Sequence, residues 1–182
     1  MLKHSLISNA QMWAEHVNFD ILQPDLAELQ RMVAASIAVK ERIVADDPHE
    51  HGIRKALNFG HTIGHALEEF SMQQSTPPPG ALLHGYAVAF GLIGELYISA
   101  RKAGFPTARL HQTARFIREN YGAVAFTCDD YPTLLNLMRH DKKNTADTIN
   151  FTLLHDIGDI RINQTATDEE IREALDFIRE GY

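Results

Sequence analysis

The chain has 182 residues, 45% of them hydrophobic and 23% charged, with a formal net charge of −7. That length suits one domain with a real core, and the acidic balance argues against nucleic acid or an anionic membrane as the main partner. The single cysteine, Cys128, excludes an internal disulfide and a thiol-rich metal centre, and fits a reducing cytoplasm.

Residues 1–19 are predicted helical, because Leu2, Leu6, Ile7, Ala10, Trp13, Ala14 and Val17 recur at helical spacing. Met1 already lies inside this pattern with no capping residue before it, so the helix is expected to begin in mid-course, as in a cut chain. Lys3 and His4 are not followed by a long apolar core, so no secretory signal is expected, and no apolar run approaches a membrane span. Pro24 can open a second helix over about 25–46, carrying Leu26, Leu29, Met32, Val33, Ile37, Val39 and Val44. Asp46-Asp47-Pro48 ends it, since the residue before proline avoids the helical region. His49 and His51 follow in a polar loop, where histidines are mostly solvated.

Residues 52–70 are predicted as one long helix containing the densest polar stretch of the chain, Arg54 to His65. On such a helix His61 and His65 stand one turn apart on the same face, with Asn58 and Arg54 continuing along it. A structural helix seldom spends a core-facing stripe on His, Asn and Arg. The stripe suits a metal, an anion or both, set against the plain alternative of a solvated polar face. Gly60 and Gly64 would each weaken the helix by about 1 kcal/mol. Close approach of another backbone or of a ligand is therefore expected there.

Ser71 to Gly80, with Pro77-Pro78-Pro79, reads as a stiff loop. It leads to Leu83-His84-Gly85 and a helix over about 84–103 that is apolar nearly all round, and so belongs in the middle of a bundle. His84 is then expected at an inner helix N-terminus. A turn at Gly104-Phe105-Pro106 precedes an amphipathic helix over 107–121, and Tyr131-Pro132 opens another. That helix runs into Arg139-His140-Asp141-Lys142-Lys143-Asn144, which reads either as a solvated helix end or as an anion contact. From Ile149 to Ile162 the period changes to that of a small hairpin around a glycine turn. Thr167-Asp168-Glu169-Glu170 marks the capped start of a last helix, about 168–180. No strand–glycine loop–helix unit is present, so a Rossmann-type domain is not expected. The expected fold is mainly α: a multi-helix domain with a small late β-hairpin.

His61, His65 and His84 offer three imidazoles, a donor set that suits zinc with one position left open. Thr62 stands where a zinc protease needs a glutamate, so a peptidase is not expected. Lys40, Arg54, Lys142 and Lys143 come from three separate segments, and together they would hold carboxylate and phosphate oxygens. A metal beside an anion cradle implies a small, acidic, hydroxylated substrate. Spacing does not separate the role of His61 from that of His65.

Asn58-Phe59-Gly60-His61-Thr62-Ile63-Gly64-His65-Ala66, followed by Leu83-His84-Gly85, resembles the 3-dehydroquinate synthase family. Lys40, Val44, Asp46, Asp47 and Arg54 look like the family's segment before that motif, and Asp141-Lys142-Lys143-Asn144 looks like its late Asp-Lys-Lys motif. The resemblance covers essentially the whole chain. It implies that residues 1–182 are the helical C-terminal domain, without the N-terminal domain that binds most of the NAD. It also implies conversion of a seven-carbon sugar-acid phosphate, 3-deoxy-D-arabino-heptulosonate 7-phosphate, to 3-dehydroquinate and phosphate in the shikimate pathway, with zinc and NAD as cofactors. Carried over by motif position, His61 and His84 are metal ligands, and Lys3, Lys40 and His65 are catalytic. Lys40, Arg54, Asn58, His65 and one of Lys142 and Lys143 are substrate contacts.

Two departures stand out. The family's third metal ligand, a glutamate three residues before the lysine matched by Lys3, would fall before Met1, so the chain alone is expected to be inactive. Tyr86 replaces the glutamate of the family's Leu-His-Gly-Glu turn, and a phenol would support a ligand histidine more weakly. Absence of a partner domain is expected to expose apolar surface near residues 1–17, where a second copy would pack as a homodimer. A related sugar-phosphate cyclase and a non-catalytic helical binding module are the alternative readings.

Overall fold

The computed structural model of the chain describes residues 1–74, 81–140 and 148–181. Among these residues it has eight α-helices and one two-stranded antiparallel hairpin: α1 (Leu2–Leu6), α2 (Ala10–Val17), α3 (Leu26–Asp46), α4 (His61–Gln73), α5 (His84–Lys102), α6 (Thr107–Tyr121), α7 (Tyr131–His140), β1 (Asn150–Asp156), β2 (Asp159–Thr165) and α8 (Asp168–Glu180). The expected class, mainly α with a late hairpin, is what is found.

Helix α5 is central: α4, α6, α8 and β1 all pack against it. Its run of Ala87, Ala89, Phe90, Leu92, Ile93, Leu96 and Ile98 is buried, as an all-round apolar helix requires. Helix α4 lies closest to it. A Cβ on Gly91 would stand 2.0 Å from the carbonyl oxygen of Gly60, so only glycine permits the two backbones to approach there. The hairpin docks beside them: Ser99 Oγ of α5 accepts from Leu154 N–H at 3.1 Å, and Thr62 Oγ1 of α4 donates to the Asn150 carbonyl at 3.1 Å.

Three expectations change. Residues 1–19 form two helices: the first ends at Leu6, and the Asn9 side chain caps the second by accepting from Met12 N–H at 2.9 Å. The single helix expected over 52–70 is also broken. Ile53–Asn58 is a 3₁₀ turn, and Gly60, at φ 80°, is the left-handed residue that starts α4. Arg54 and Asn58 therefore do not continue the face of α4. Finally, α1 and α2 bury Leu6, Ile7, Met12 and Trp13, and the indole of Trp13 donates to Thr113 Oγ1 of α6 at 3.0 Å. Met1 stays exposed, but the largest run of exposed apolar side chains among the described residues is Ile21, Leu22, Leu26, Val33 and Ile37, on and just before α3.

The remaining boundaries follow their local chemistry. Asp25, rather than Pro24, caps α3 by accepting from Ala27 and Glu28 N–H groups. Thr167 and Glu170 form the expected reciprocal box at the start of α8.

Candidate functional site

The first turn of α4 carries His61, and His65 follows one turn later on the same face. His84 is the first residue of α5. Because the glycine contact sets α4 against α5, the two helix starts meet. Ring centroids are 5.2 Å apart for His61 and His65, 5.5 Å for His61 and His84, and 5.7 Å for His65 and His84. One ligand nitrogen from each ring lies within 4.8 Å of the others. Tetrahedral ligands at about 2.0–2.1 Å from a zinc ion stand somewhat closer than this, so small rotamer changes would close the triangle on a divalent ion. The donor set fits such an ion.

His84 departs from its expected setting: it is exposed rather than inside the bundle. Its ring is nonetheless held. His84 Nδ1 stands 2.9 Å from Glu68 Oε2. His61 Nδ1 lies 3.1 Å from the Phe59 carbonyl oxygen. A carboxylate and a carbonyl oxygen accept, so in each case Nδ1 carries the proton, and in the neutral ring Nε2 is the nitrogen with a lone pair to offer. Tyr86 takes no part; its ring stands edge-on to Tyr121 at 5.2 Å.

A cleft of about 470 Å³ opens beside His61 and His84, and Lys3 and Lys40 line it together with His4. Lys3 Nζ donates to the Leu57 carbonyl, which ties α1 to the 3₁₀ turn. His4 shares a hydrogen bond of 2.7 Å between Nδ1 and Ser36 Oγ. Burial pushes His4 down to about 4, and the charges of Lys3, the N-terminal amine and Lys40 add to the effect. The cleft is thus an electropositive pocket in an acidic protein.

The other expected substrate residues lie around the same helix start but face neighbouring hollows. Asn58 lines a cleft of about 500 Å³ between the 3₁₀ turn and the hairpin, with Lys55, Thr62 and Thr152. Its amide donates to Glu50 Oε1 at 2.6 Å. His65 lines a third hollow with Glu68, Glu69 and His140. Arg54 Nη1 donates to the Pro48 carbonyl at 2.6 Å and lines none of these three clefts. Lys142 and Lys143 lie outside the described residues.

Two acidic residues that sequence reasoning passed over organise the site. Glu68 falls three residues after His65 and seven after His61, so the helical period of α4 already put it on the histidine face. Glu95 is fully buried in α5 and accepts from the N–H groups of Gly60 at 2.7 Å, Thr62 at 2.9 Å and Ile63 at 3.3 Å. A lone acid in the apolar run of α5 was the available signal. Asp47 plays a similar part in the loop ahead of the site. Its carboxylate accepts from the backbone of His51, Gly52 and Arg54, and these bonds, Gly52's foremost, hold it below the usual carboxylate range.

A family model described as 3-dehydroquinate synthase C-terminal matches residues 1–144. The chain is 52% identical over 182 residues to a 3-dehydroquinate synthase of Parabacteroides distasonis, covering 100% of this chain and 50% of that protein. It is 32% identical over 184 residues to a 3-dehydroquinate synthase of Lactococcus lactis, covering 96% of this chain and 48% of that protein. The chain thus spans about half the length of the curated relatives it matches. Among solved structures, 2-epi-5-epi-valiolone synthase from Streptomyces hygroscopicus, with NAD+ and Zn2+ bound, superposes with a TM-score of 0.78 at 19% identity, covering 100% of this chain and 49% of that one. A 2-deoxy-scyllo-inosose synthase, complexed with carbaglucose-6-phosphate, NAD+ and Co2+, superposes with a TM-score of 0.73 at 21% identity, covering 100% of this chain and 49% of that one. At these identities the likeness establishes a shared fold.

Proposed function

The chain belongs to the 3-dehydroquinate synthase family, and from that membership we propose that it is the metal- and substrate-binding half of an enzyme converting 3-deoxy-D-arabino-heptulosonate 7-phosphate to 3-dehydroquinate and phosphate. The observation that carries the proposal is the meeting of His61, His65 and His84 beside a cleft lined by Lys3 and Lys40. The three histidines would hold a divalent ion, zinc in our reading, which when bound would supply Lewis-acid polarisation of a substrate oxygen.

The chain's own residues then have separable tasks. His61 and His84 would hold the metal through the ring nitrogen that does not make the Nδ1 contact. Lys3 and Lys40 bind the substrate's anionic groups in the cleft, and with His65, which lines the neighbouring hollow, they serve in proton transfer. Asn58 and Arg54 reach the substrate only if their present bonds to Glu50 and Pro48 are exchanged for it. One of Lys142 and Lys143 completes the anion cradle. A nucleotide-binding domain is the partner that would hold most of the NAD. A homodimer remains the expected assembly, with its apolar contact on α3 rather than on residues 1–17.

The reading is tested by mixing the purified chain with a separately produced nucleotide-binding domain that carries the preceding glutamate, with zinc, NAD and the substrate, and assaying phosphate release. Release from the mixture and none from the chain alone is expected. If even a single polypeptide joining the two halves releases no phosphate, the proposed activity is wrong.

A further inference from the structure

We propose that Glu68 is the positioning residue that orients His84 for the metal, the support that Tyr86 does not give. The inference rests on the metal reading above and adds a residue to it.

His84 opens α5 and its side chain is 55% exposed, so nothing in the core restrains it. An exposed imidazole samples several rotamers and either neutral tautomer. Here it is drawn to one acceptor: Glu68 Oε2 lies 2.9 Å from Nδ1, and Glu68 is itself only 20% exposed on α4. Since the carboxylate can only accept, it selects the Nδ1–H form and leaves Nε2 as the nitrogen available to a metal. His61 is fixed in the same way by the Phe59 carbonyl at 3.1 Å. Two histidines from different helices therefore each have Nδ1 backed by an oxygen, which is the pattern by which outer groups aim metal-binding imidazoles. Glu68 shares a helix face with His61 and His65, so it moves with them as one rigid body. It couples the only one of the three imidazoles that lies on α5 to the two that lie on α4.

The test uses Glu68→Ala and Glu68→Gln in the full chain, with two readouts. The first needs no metal: long-range proton–nitrogen spectra of the histidine rings report the tautomer of His84. Wild type and Glu68→Gln, whose amide oxygen still accepts, are expected to show the Nδ1–H form. Glu68→Ala is expected to revert to the Nε2–H form that free imidazole prefers. The second readout is cobalt binding, followed by calorimetry and visible absorption. Glu68→Ala should weaken it by about 10–100-fold. Glu68→Gln should recover part of that loss with the wild-type absorption envelope, while the metal-free melting temperature of both variants stays at the wild-type value. An unchanged tautomer and affinity in Glu68→Ala overturns the proposal. So does an altered cobalt spectrum in Glu68→Gln, which would make Glu68 a ligand. If wild type selects the Nδ1–H form yet binds no cobalt, the metal reading fails while the Glu68–His84 pairing stands as mere structure, and the positioning role is overturned with it.

Discussion

Glu95 of α5 accepts the backbone N–H of Gly60 at 2.7 Å, across 35 residues of chain. The same carboxylate takes Thr62 and Ile63, so a side chain from one helix caps the first turn of another. Gly60 has no side chain for this task, and its φ of 80° aims the chain into α4 one residue before His61. The cap, the glycine turn and the histidine therefore form one mechanical unit.

Replacing Glu95 should expose how much of the site depends on that unit. Glu95→Ala leaves three buried N–H groups unpaired, and each such group costs about 1–3 kcal/mol. A loss of at least about 3 kcal/mol in urea unfolding is expected. Glu95→Gln keeps one acceptor oxygen but turns an amide NH2 towards the donors, and should cost about half as much. Equal stability of Glu95→Ala and wild type would refute the capping role.

The contact between α4 and α5 makes a second case. Gly91→Ala places a Cβ 2.0 Å from the Gly60 carbonyl oxygen, so the helices must separate. The expected cost is about 3 kcal/mol, at the upper end of overpacking effects, with loss of metal binding because the helix starts no longer meet. Gly85→Ala, in the same helix, meets nothing within 4 Å. It should gain up to about 1 kcal/mol from helix propensity. Thermal melts of the two variants, run side by side, check the contrast.

The proposed division between His61, His65 and His84 is open to direct measurement. His61→Ala and His84→Ala should each weaken cobalt or zinc binding by more than the roughly 10–100-fold cost of losing an outer partner. His65→Ala should weaken it by less than about tenfold. A loss for His65→Ala as large as for the other two would place all three rings on the metal, as their proximity alone would allow.

Acidity should act through His4. Its folded-state value of about 4 lies below the ordinary 6.5, so the folded form prefers the neutral ring and the unfolded form takes the proton first. The stability this contributes is fully present above about pH 6.5 and is lost as the pH falls towards about 4. His16 is shifted in the same direction, chiefly by burial, and adds to the slope. Urea midpoints at pH 7 and pH 5.5 should differ less for His4→Gln than for wild type. An identical drop in both proteins would remove His4 as a cause.

Much of this architecture could be read along the chain. The apolar period placed α3, α5, α6, α7 and α8 within a few residues of their observed bounds, and the change of period placed the hairpin. His61 and His65 were correctly set on one face because their spacing is a property of the helix itself. The same logic failed at Arg54 and Asn58. The polar pattern there suits a helix, yet Gly60 turns left-handed under the pull of Glu95 and the crowding of Gly91.

The residue types and their local periods therefore settle the helices, the hairpin and which side chains the site has to offer: imidazoles and lysines. Only the folded chain brings His84 to His61, gives His84 its partner in Glu68, and caps α4 with Glu95. It also separates Lys40 from Arg54 and buries Leu6, Ile7, Met12 and Trp13 while leaving a run of apolar side chains exposed on and just before α3. The physical reason is the range of the interactions. A helix is stabilised by bonds four residues apart, which local sequence encodes. A cap supplied by another helix, or a carboxylate–histidine hydrogen bond between two helices, depends on the packing of residues far apart in the chain, and no local pattern records it.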